Sequence, residues 1–160
     1  MKNLLQPNPG PLIRLATEKD AKEVKDCITA AFELYVERIG RPPVPMLLDI
    51  PAAIEAKQVW VADWDGIIVG VLVQYVTEDG FYIDTVAVHP TYQRTGIGKA
   101  LLQFAEREAV RRGFDSIYLC THVKMTENQL LYPKIGYVET ERKIDEGHER
   151  VYYRKQLTSS

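Results

Sequence analysis

The chain is 160 residues long, 46% hydrophobic and 26% charged, with 20 Lys and Arg against 22 Asp and Glu for a formal net charge of −2. That length fits one domain able to bury about two thirds of its unfolded surface, and those fractions belong to an ordinary soluble globular protein. The charge balance excludes a general nucleic-acid binder, which needs a basic footprint, and with no apolar run near 18 residues no membrane-spanning helix is expected.

Residues 1–10 carry Asn, Gln and Pro without periodicity, so a loose leader is expected, with no secretory signal and a cytoplasmic location. Pro11 to Ala16 reads as a short strand. Thr17 with Asp20 three residues on forms a capping-box pattern, and Ala21, Val24, Ile28, Ala31, Phe32 and Tyr35 keep helical spacing as far as Gly40. Arg41-Pro-Pro-Val-Pro is rigid and extended, because each Pro fixes its φ and biases the residue before it away from helix. A weaker helical piece follows from Leu47 to Ala56.

Three β-branched runs, Gln58 to Asp63, Ile67 to Thr77 and Phe81 to Val88, are separated by Asp65-Gly66 and Asp79-Gly80, which predicts an antiparallel meander. Gly96 and Gly98 then open a helix through Leu101, Phe104 and Ala105, closed by Arg111, Arg112 and Gly113. Asp115 to Cys120 is the next strand, and strand, helix, strand demands a parallel crossover, so the sheet is mixed. Thr126 and Gln129 form a second capping pattern before a short helix reaching Ile135, where Pro133 is expected to disturb the ladder. Tyr137 to Ile144 and Glu149 to Gln156 pair through Asp145-Glu-Gly147 as a hairpin with an exposed last strand, and residues 158–160 fray. Cys27 and Cys120 fall in a predicted helix and strand, away from any Cys/His ligand set, so they read as buried reduced thiols and no metal site is expected.

The stretch Ile83 to Lys99 joins a strand, a glycine loop and a helix start, a junction that offers unpaired N–H groups and about half a positive charge to an anion. Two phosphate loops are excluded by residue: a Walker A loop needs Gly and Ser or Thr where Gln93 and Ala100 stand, and a dinucleotide loop needs Gly where Leu101 stands. What remains, Gln93-x-x-Gly96-x-Gly98, resembles the acetyl-CoA pyrophosphate loop of the GNAT acyltransferase superfamily. A second segment, Leu131-Tyr132-Pro133-Lys134-Ile135-Gly136-Tyr137, resembles that family's Leu-Tyr-x-Lys-x-Gly-Phe/Tyr motif.

The resemblance implies an α/β (α+β) fold over residues 11–157: a GNAT-like mixed sheet, an antiparallel meander plus a parallel crossover, with helices on both faces. It implies an N-acetyltransferase that uses acetyl-CoA as co-substrate on a primary amine of a small molecule or peptide. The backbones of Val86, Ala87 and Val88 are then expected to hold the pantetheine arm, and Gln93, Arg94, Thr95, Gly96, Ile97, Gly98 and Lys99 the pyrophosphate. Tyr132 is the expected general acid toward the CoA thiolate, and Asn128, one turn earlier, a pantetheine contact. The family often has Asn seven residues before the Tyr, where this chain has Met125.

The base is less sharply marked. An alkyl amine with pKa near 10.4 is neutral about once in 2500 molecules at pH 7, a cost of roughly 4.6 kcal/mol, against about 1.4 for an α-amine near 8. Asp84 is the first candidate, because it precedes Val86 by two residues and so is expected on the same face of the strand, with Tyr82 beside it. His122 and Glu127 are runners-up. Tyr35, Arg38 and Arg41 are expected on the acceptor side, while His89 and His148 read as structural or surface residues. The alternative is a CoA-binding sensor or interaction module without catalysis, and a homodimer through the exposed strand is a further expectation.

Overall fold

The computed structural model describes residues 10–157; the predicted leader, apart from Gly10, and the predicted tail lie outside them. The elements follow the expected order: β1 (Leu12–Leu15), α1 (Ala21–Ile39), α2 (Ile50–Glu55), β2 (Val59–Trp64), β3 (Ile67–Thr77) and β4 (Gly80–Val88). After these come α3 (Ile97–Arg111), β5 (Ser116–His122), α4 (Thr126–Lys134), β6 (Val138–Asp145) and β7 (His148–Gln156). One seven-stranded sheet runs β1-β2-β3-β4-β5-β7-β6, antiparallel throughout except for the parallel β4–β5 pair. β3 is an interior strand covered by a helix on each face, so its run from Ile68 to Gln74 is buried on both faces. No helix among the described residues is long and apolar enough to cross a membrane.

Apolar periodicity places one helix on each face of this sheet. The α1 stripe of Val24, Cys27, Ile28 and Phe32 packs on Val59, Val61, Val71 and Val73. On the opposite face the α3 stripe of Ile97, Leu101 and Ala105 packs on Leu72, Ile83, Ile117 and Val151. Gly70 sets how closely α3 approaches: a Cβ there would lie 3.0 Å from both Ile97 Cγ2 and Leu101 Cδ1, and 3.3 Å from the Ala87 carbonyl. The missing side chain seats the first turn of α3 against β3, and with it the glycine loop.

The hairpin departs from expectation. β7 inserts between β5 and β6, so the exposed edge is β6 rather than the last strand. The side chains decide this. β7 alternates, burying Val151 and Tyr153 against α3, whereas β6 reads Val-Glu-Thr-Glu-Arg-Lys-Ile-Asp and exposes all but its last residue. A charged edge of that kind resists pairing with another chain.

The first capping pattern forms. Asp20 accepts the Thr17 backbone N–H at 2.8 Å, and its carboxylate also receives Arg14, whose Nη1 and Nη2 lie at 2.8 and 3.1 Å. Arg14 Nε reaches Asp63 at 3.1 Å, so one guanidinium ties β1 to β2 and to the start of α1. The second pattern does not form: Met125 occupies the cap position of α4, and Gln129 instead donates to the Val123 carbonyl at 2.6 Å. Pro133 lies in the last turn of α4, where it deprives a single carbonyl and leaves the helix unbroken.

Two stability predictions follow from these contacts. Arg14 holds the Asp20 carboxyl at about 2, against the usual 3.8. A lowered carboxylate pKa stabilises the fold above the unfolded value and ceases to do so as pH falls through the folded one. Asp20→Asn should therefore lose about 1–2 kcal/mol at pH 7 in urea unfolding, with the difference from the native chain vanishing between pH 3.8 and 2. Gly70→Ala should cost about 1–3 kcal/mol through overpacking against α3, read as a lowered thermal midpoint.

Candidate active site

Strand pairing between β4 and β5 stops early. Their register covers only Phe81↔Ile117, Tyr82↔Tyr118 and Ile83↔Leu119, after which the two strands part. On its other side β4 stays paired with β3 up to Gly70↔Val88, but with a bulge: Val73 faces Thr85 and Gln74 faces Ile83, leaving Asp84 as the extra residue. From Asp84 onward, the edge of β4 toward β5 has no ladder partner.

The bulge also corrects a predicted face. Ile83 and, three residues on, Val86 both pack on the α3 side, while Ala87 packs on the α1 side. Strict alternation would have put Asp84 and Val86 together. The extra residue reverses the pattern, so Asp84 shares a face with Tyr82 but not with Val86. Asp84 is nevertheless well placed in the cleft, where its Oδ2 accepts the Tyr75 hydroxyl at 2.6 Å and its Oδ1 the Thr85 hydroxyl at 2.9 Å.

Two cavities occupy the parted strands. One of 510 Å³ is bordered by Val86, Ala87, Val88, Gly98 and Lys99. The other, of 380 Å³, is bordered by Tyr75, Tyr82, Asp84, Tyr118, Arg150 and Tyr152. They meet on shared walls, namely Phe32 of α1, Val86 of β4, and Asn128 and Tyr132 of α4.

At the outer end of the first cavity lies the glycine loop. Gly96 takes φ 87° and caps α3, and Arg94 before it is also left-handed at φ 68°. Among the described residues no acceptor faces the N–H groups of Gly96, Ile97, Gly98 and Lys99, and the first bonded amide is that of Ala100, to the Gly96 carbonyl. Four free donors at the start of a fifteen-residue helix make an anion seat. Gly98 keeps it open, because a Cβ there would meet only Val88 Cγ2, at 3.5 Å. Gln93 turns back, its Nε2 donating to the Val88 carbonyl at 3.4 Å, and Thr95 donates to the Tyr92 carbonyl.

Tyr132 stands at the junction of the cavities, its ring 5.7 Å from those of Tyr137 and Tyr153. Burial raises its phenol above the usual tyrosine range, so it keeps its proton at neutral pH. Asn128 spends its amide nitrogen on Thr121 Oγ1 at 3.0 Å and Met125 Sδ at 3.7 Å, which leaves its carbonyl oxygen as the exposed acceptor.

The predicted acceptor-side cations are engaged elsewhere. Arg38 lies over the Tyr35 ring at 4.9 Å and binds Glu127 at 2.7 and 3.2 Å and the Lys124 carbonyl at 3.2 Å. Arg41 donates to the Glu146 carbonyl at 3.2 Å. These ties join α1 and the Pro-rich turn to the start of α4 and to the β6–β7 hairpin. Glu127, its pKa lowered by Arg38, is thereby a poor base.

His122 accepts the Lys124 N–H on Nδ1 at 3.1 Å, which puts the proton of the neutral ring on Nε2 and leaves that atom without a lone pair for an incoming amine. His148 is buried, its ring 5.3 Å from that of His122. Cys27 is buried and its thiol is pushed up to about 12 by burial. Cys120 is only half-buried, with Sγ 3.2 Å from the Tyr82 hydroxyl on the cavity wall.

Sequence reading missed Tyr75, Tyr118, Arg150 and Tyr152. Alternation along β5 and β7 carries the signal: Tyr118, Cys120 and His122 on one face, Arg150, Tyr152 and Arg154 opposite them in register. Tyr75 and Tyr118 reach the cavity through the pairing of β4 with β3 and β5, and Arg150 and Tyr152 only because β7 lies next to β5.

Comparison with known proteins agrees with this arrangement. The model of the acetyltransferase (GNAT) family matches residues 23–137. The chain belongs to that family and is an acetyltransferase. Among solved structures it is similar to the PaiA N-acetyltransferase of Thermoplasma acidophilum in complex with coenzyme A, with a TM-score of 0.74 at 17% identity over 91% of this chain and 98% of that one. Similar too are a GCN5-related N-acetyltransferase from Rhodopseudomonas palustris (TM-score 0.74, 21% identity, 95% and 99% covered) and Ard1 from Thermoplasma volcanium (0.72, 18%, 93% and 99%). At these identities the likeness is one of fold.

The paired imidazoles give a pH prediction. Burial lowers the pKa of both His122 and His148 below 6.5. The fold therefore favours their neutral forms, and this contribution, intact above 6.5, is lost as pH falls from there through the lowered folded values. Ring resonances in NMR should titrate below 6.5 in the folded protein, and stability should decline from pH 7 to 5. The decline should be smaller once both rings are replaced by Asn.

Proposed function

We propose that the protein transfers an acetyl group from acetyl-CoA to a primary amine, with the larger cavity taking the donor and the smaller, aromatic one the acceptor. The observation that carries this reading is the meeting of the two cavities on Val86, Asn128 and Tyr132. A thioester reaching that point along β4 is exposed to an amine from the other side. The residues present suit the donor: free amides at Gly96 to Lys99 for a pyrophosphate, the unpaired edge of Val86 to Val88 for a pantetheine amide, and the Asn128 carbonyl oxygen for a pantetheine N–H.

Acetyl-CoA brings an acyl group already activated as a thioester, so the protein's share is alignment, oxyanion stabilisation and proton handling. The amine nitrogen forms a bond to the acyl carbon while a backbone N–H near Val86 to Val88 holds the oxyanion. The carbon–sulfur bond then breaks, and Tyr132 protonates the departing thiolate. Phenol to thiolate is roughly 2 kcal/mol uphill from the solution values, and burial of Tyr132 widens the gap, so the proton moves only as negative charge develops on sulfur. Asp84, whose oxygens accept the Tyr75 and Thr85 hydroxyls, faces the amine and takes its proton directly or through water.

Acetyl-CoA-dependent release of CoA across a panel of amines tests the assignment. Tyr132→Phe should lower kcat by about 100-fold or more while the acetyl-CoA dissociation constant, measured by calorimetry, changes little. Full turnover in that variant would remove Tyr132 as the acid. Acetyl-CoA binding without CoA release from any amine would favour the sensor alternative.

A further inference from the structure

Arg150 is set into the wall of the acceptor cavity, with 14% of its side chain exposed, whereas Lys143, also on the lining, is exposed. Arg150 lies on β7 opposite His122 of β5. Its neighbours are the Asp145 carboxylate, 3.3 Å from Nη1, and the Tyr152 hydroxyl, which itself donates to the same Asp145 oxygen at 3.3 Å. A guanidinium has five N–H donors, and these two partners leave most of them free toward the cavity. Leaving a partly buried charge under-bonded is costly, and an anionic group seated there would satisfy it in a bidentate manner.

Asp145 supplies one carboxylate, on Nη1, and the other charges around this cavity do not add a second. Asp145 already shares one oxygen between Arg150 and Tyr152. Asp79 and Glu146 are exposed at the rim, and Lys143 is exposed over the Tyr152 ring at 4.7 Å. Inside, the charged pair is Asp84 at the end nearer the donor cavity and Arg150 two strands away. Tyr82 borders the same cavity, with its hydroxyl 3.2 Å from Cys120 Sγ on the strand between them. The rings of Tyr75, Tyr82 and Tyr118 line the space, Tyr75–Tyr82 at 5.6 Å and Tyr82–Tyr118 at 4.7 Å. Negative, aromatic, positive is the complement of a molecule that carries an ammonium, a carbon skeleton and a carboxylate in that order.

We propose that the acceptor is an aminocarboxylate whose carboxylate is held by Arg150 and whose amine faces Asp84 and Tyr132. This rests on the acetyl-transfer reading of the cleft. Arg150 is a specificity residue: it touches the acceptor at the end away from the reacting nitrogen. Arg38 and Arg41, expected on the acceptor side, are tied to Glu127 and to the Glu146 carbonyl and do not border this cavity, whereas Arg150 does.

The test compares matched acceptors with the native protein: α-amino acids, their carboxamides and their decarboxylated amines, together with a series of ω-amino acids of increasing length. The carboxylate-bearing members should have kcat/KM higher by about 30-fold or more than their amides, mainly through KM. In Arg150→Gln that preference should collapse toward one, and Arg150→Lys should retain part of it. Equal or better use of amides or decarboxylated amines by the native protein overturns the proposal, as does a preference that survives Arg150→Gln. Peptide amines outperforming free amino acids would overturn it as well. If acetyl-CoA binds but no acceptor of any kind releases CoA, the acetyl-transfer reading itself falls, and the proposal with it. The native protein's ranking of acceptors decides the matter even if Arg150→Gln folds poorly.

Discussion

The functional architecture depends on the early end of the ladder between β4 and β5. Parallel strands normally continue to exchange hydrogen bonds, and unpaired backbone in a sheet interior is expensive. Here three residue pairs form and then the strands diverge, while the bulge at Asp84 twists β4 away and keeps it paired to β3. Everything in the site follows from that opening: a free strand edge for an amide-bearing ligand, and room beneath α4 for Tyr132 and Asn128. It also makes two chambers that touch instead of one closed core.

Around the opening, the two halves of the sheet are treated differently by the helices. α1 and α3 bury opposite faces of the N-terminal strands, and α3 also covers one face of β5 and β7. The remaining face, on β5 and β7, carries Tyr118, Cys120, Arg150 and Tyr152 and forms a wall of the smaller cavity. Burial raises the hydroxyl pKa of the tyrosines around this cavity, Tyr152 to about 12, so they stay neutral, Tyr75 donating to Asp84 and Tyr152 to Asp145. Arg38 and Arg41 close the structure over this face by reaching 86 or more residues along the chain to the start of α4 and to the last hairpin.

Much of the fold was legible because it is written in local chemistry. Hydrophobic period separates α1 and α3 from the strands, Asp-Gly pairs mark the hairpins, and strand-helix-strand order forces the parallel crossover. The glycine loop was readable for the same reason, since backbone amides at a helix start need no distant partner to bind an anion. Tyr132 and its segment came from a family pattern rather than from physics. Some local inferences failed because another partner won. Gln129 found the Val123 carbonyl instead of a cap, and β7 chose the inner position because Val151 and Tyr153 had a helix to bury against.

Local sequence was enough for the set of elements, their order, the mixed sheet and the glycine-opened helix start with its free amides from Gly96 to Lys99, since each depends on periodicity or on residues within a few positions. Tertiary structure alone decided which side chains share the cleft. A bulge adds one residue without a sequence mark and reverses alternation, so the face of Asp84 relative to Val86 had to be observed. The meeting of Asp84 with Tyr75 and its placement in one cavity with Arg150 come from strand register and from β7 lying beside β5. The energies that set those choices belong to packing between segments far apart in the chain.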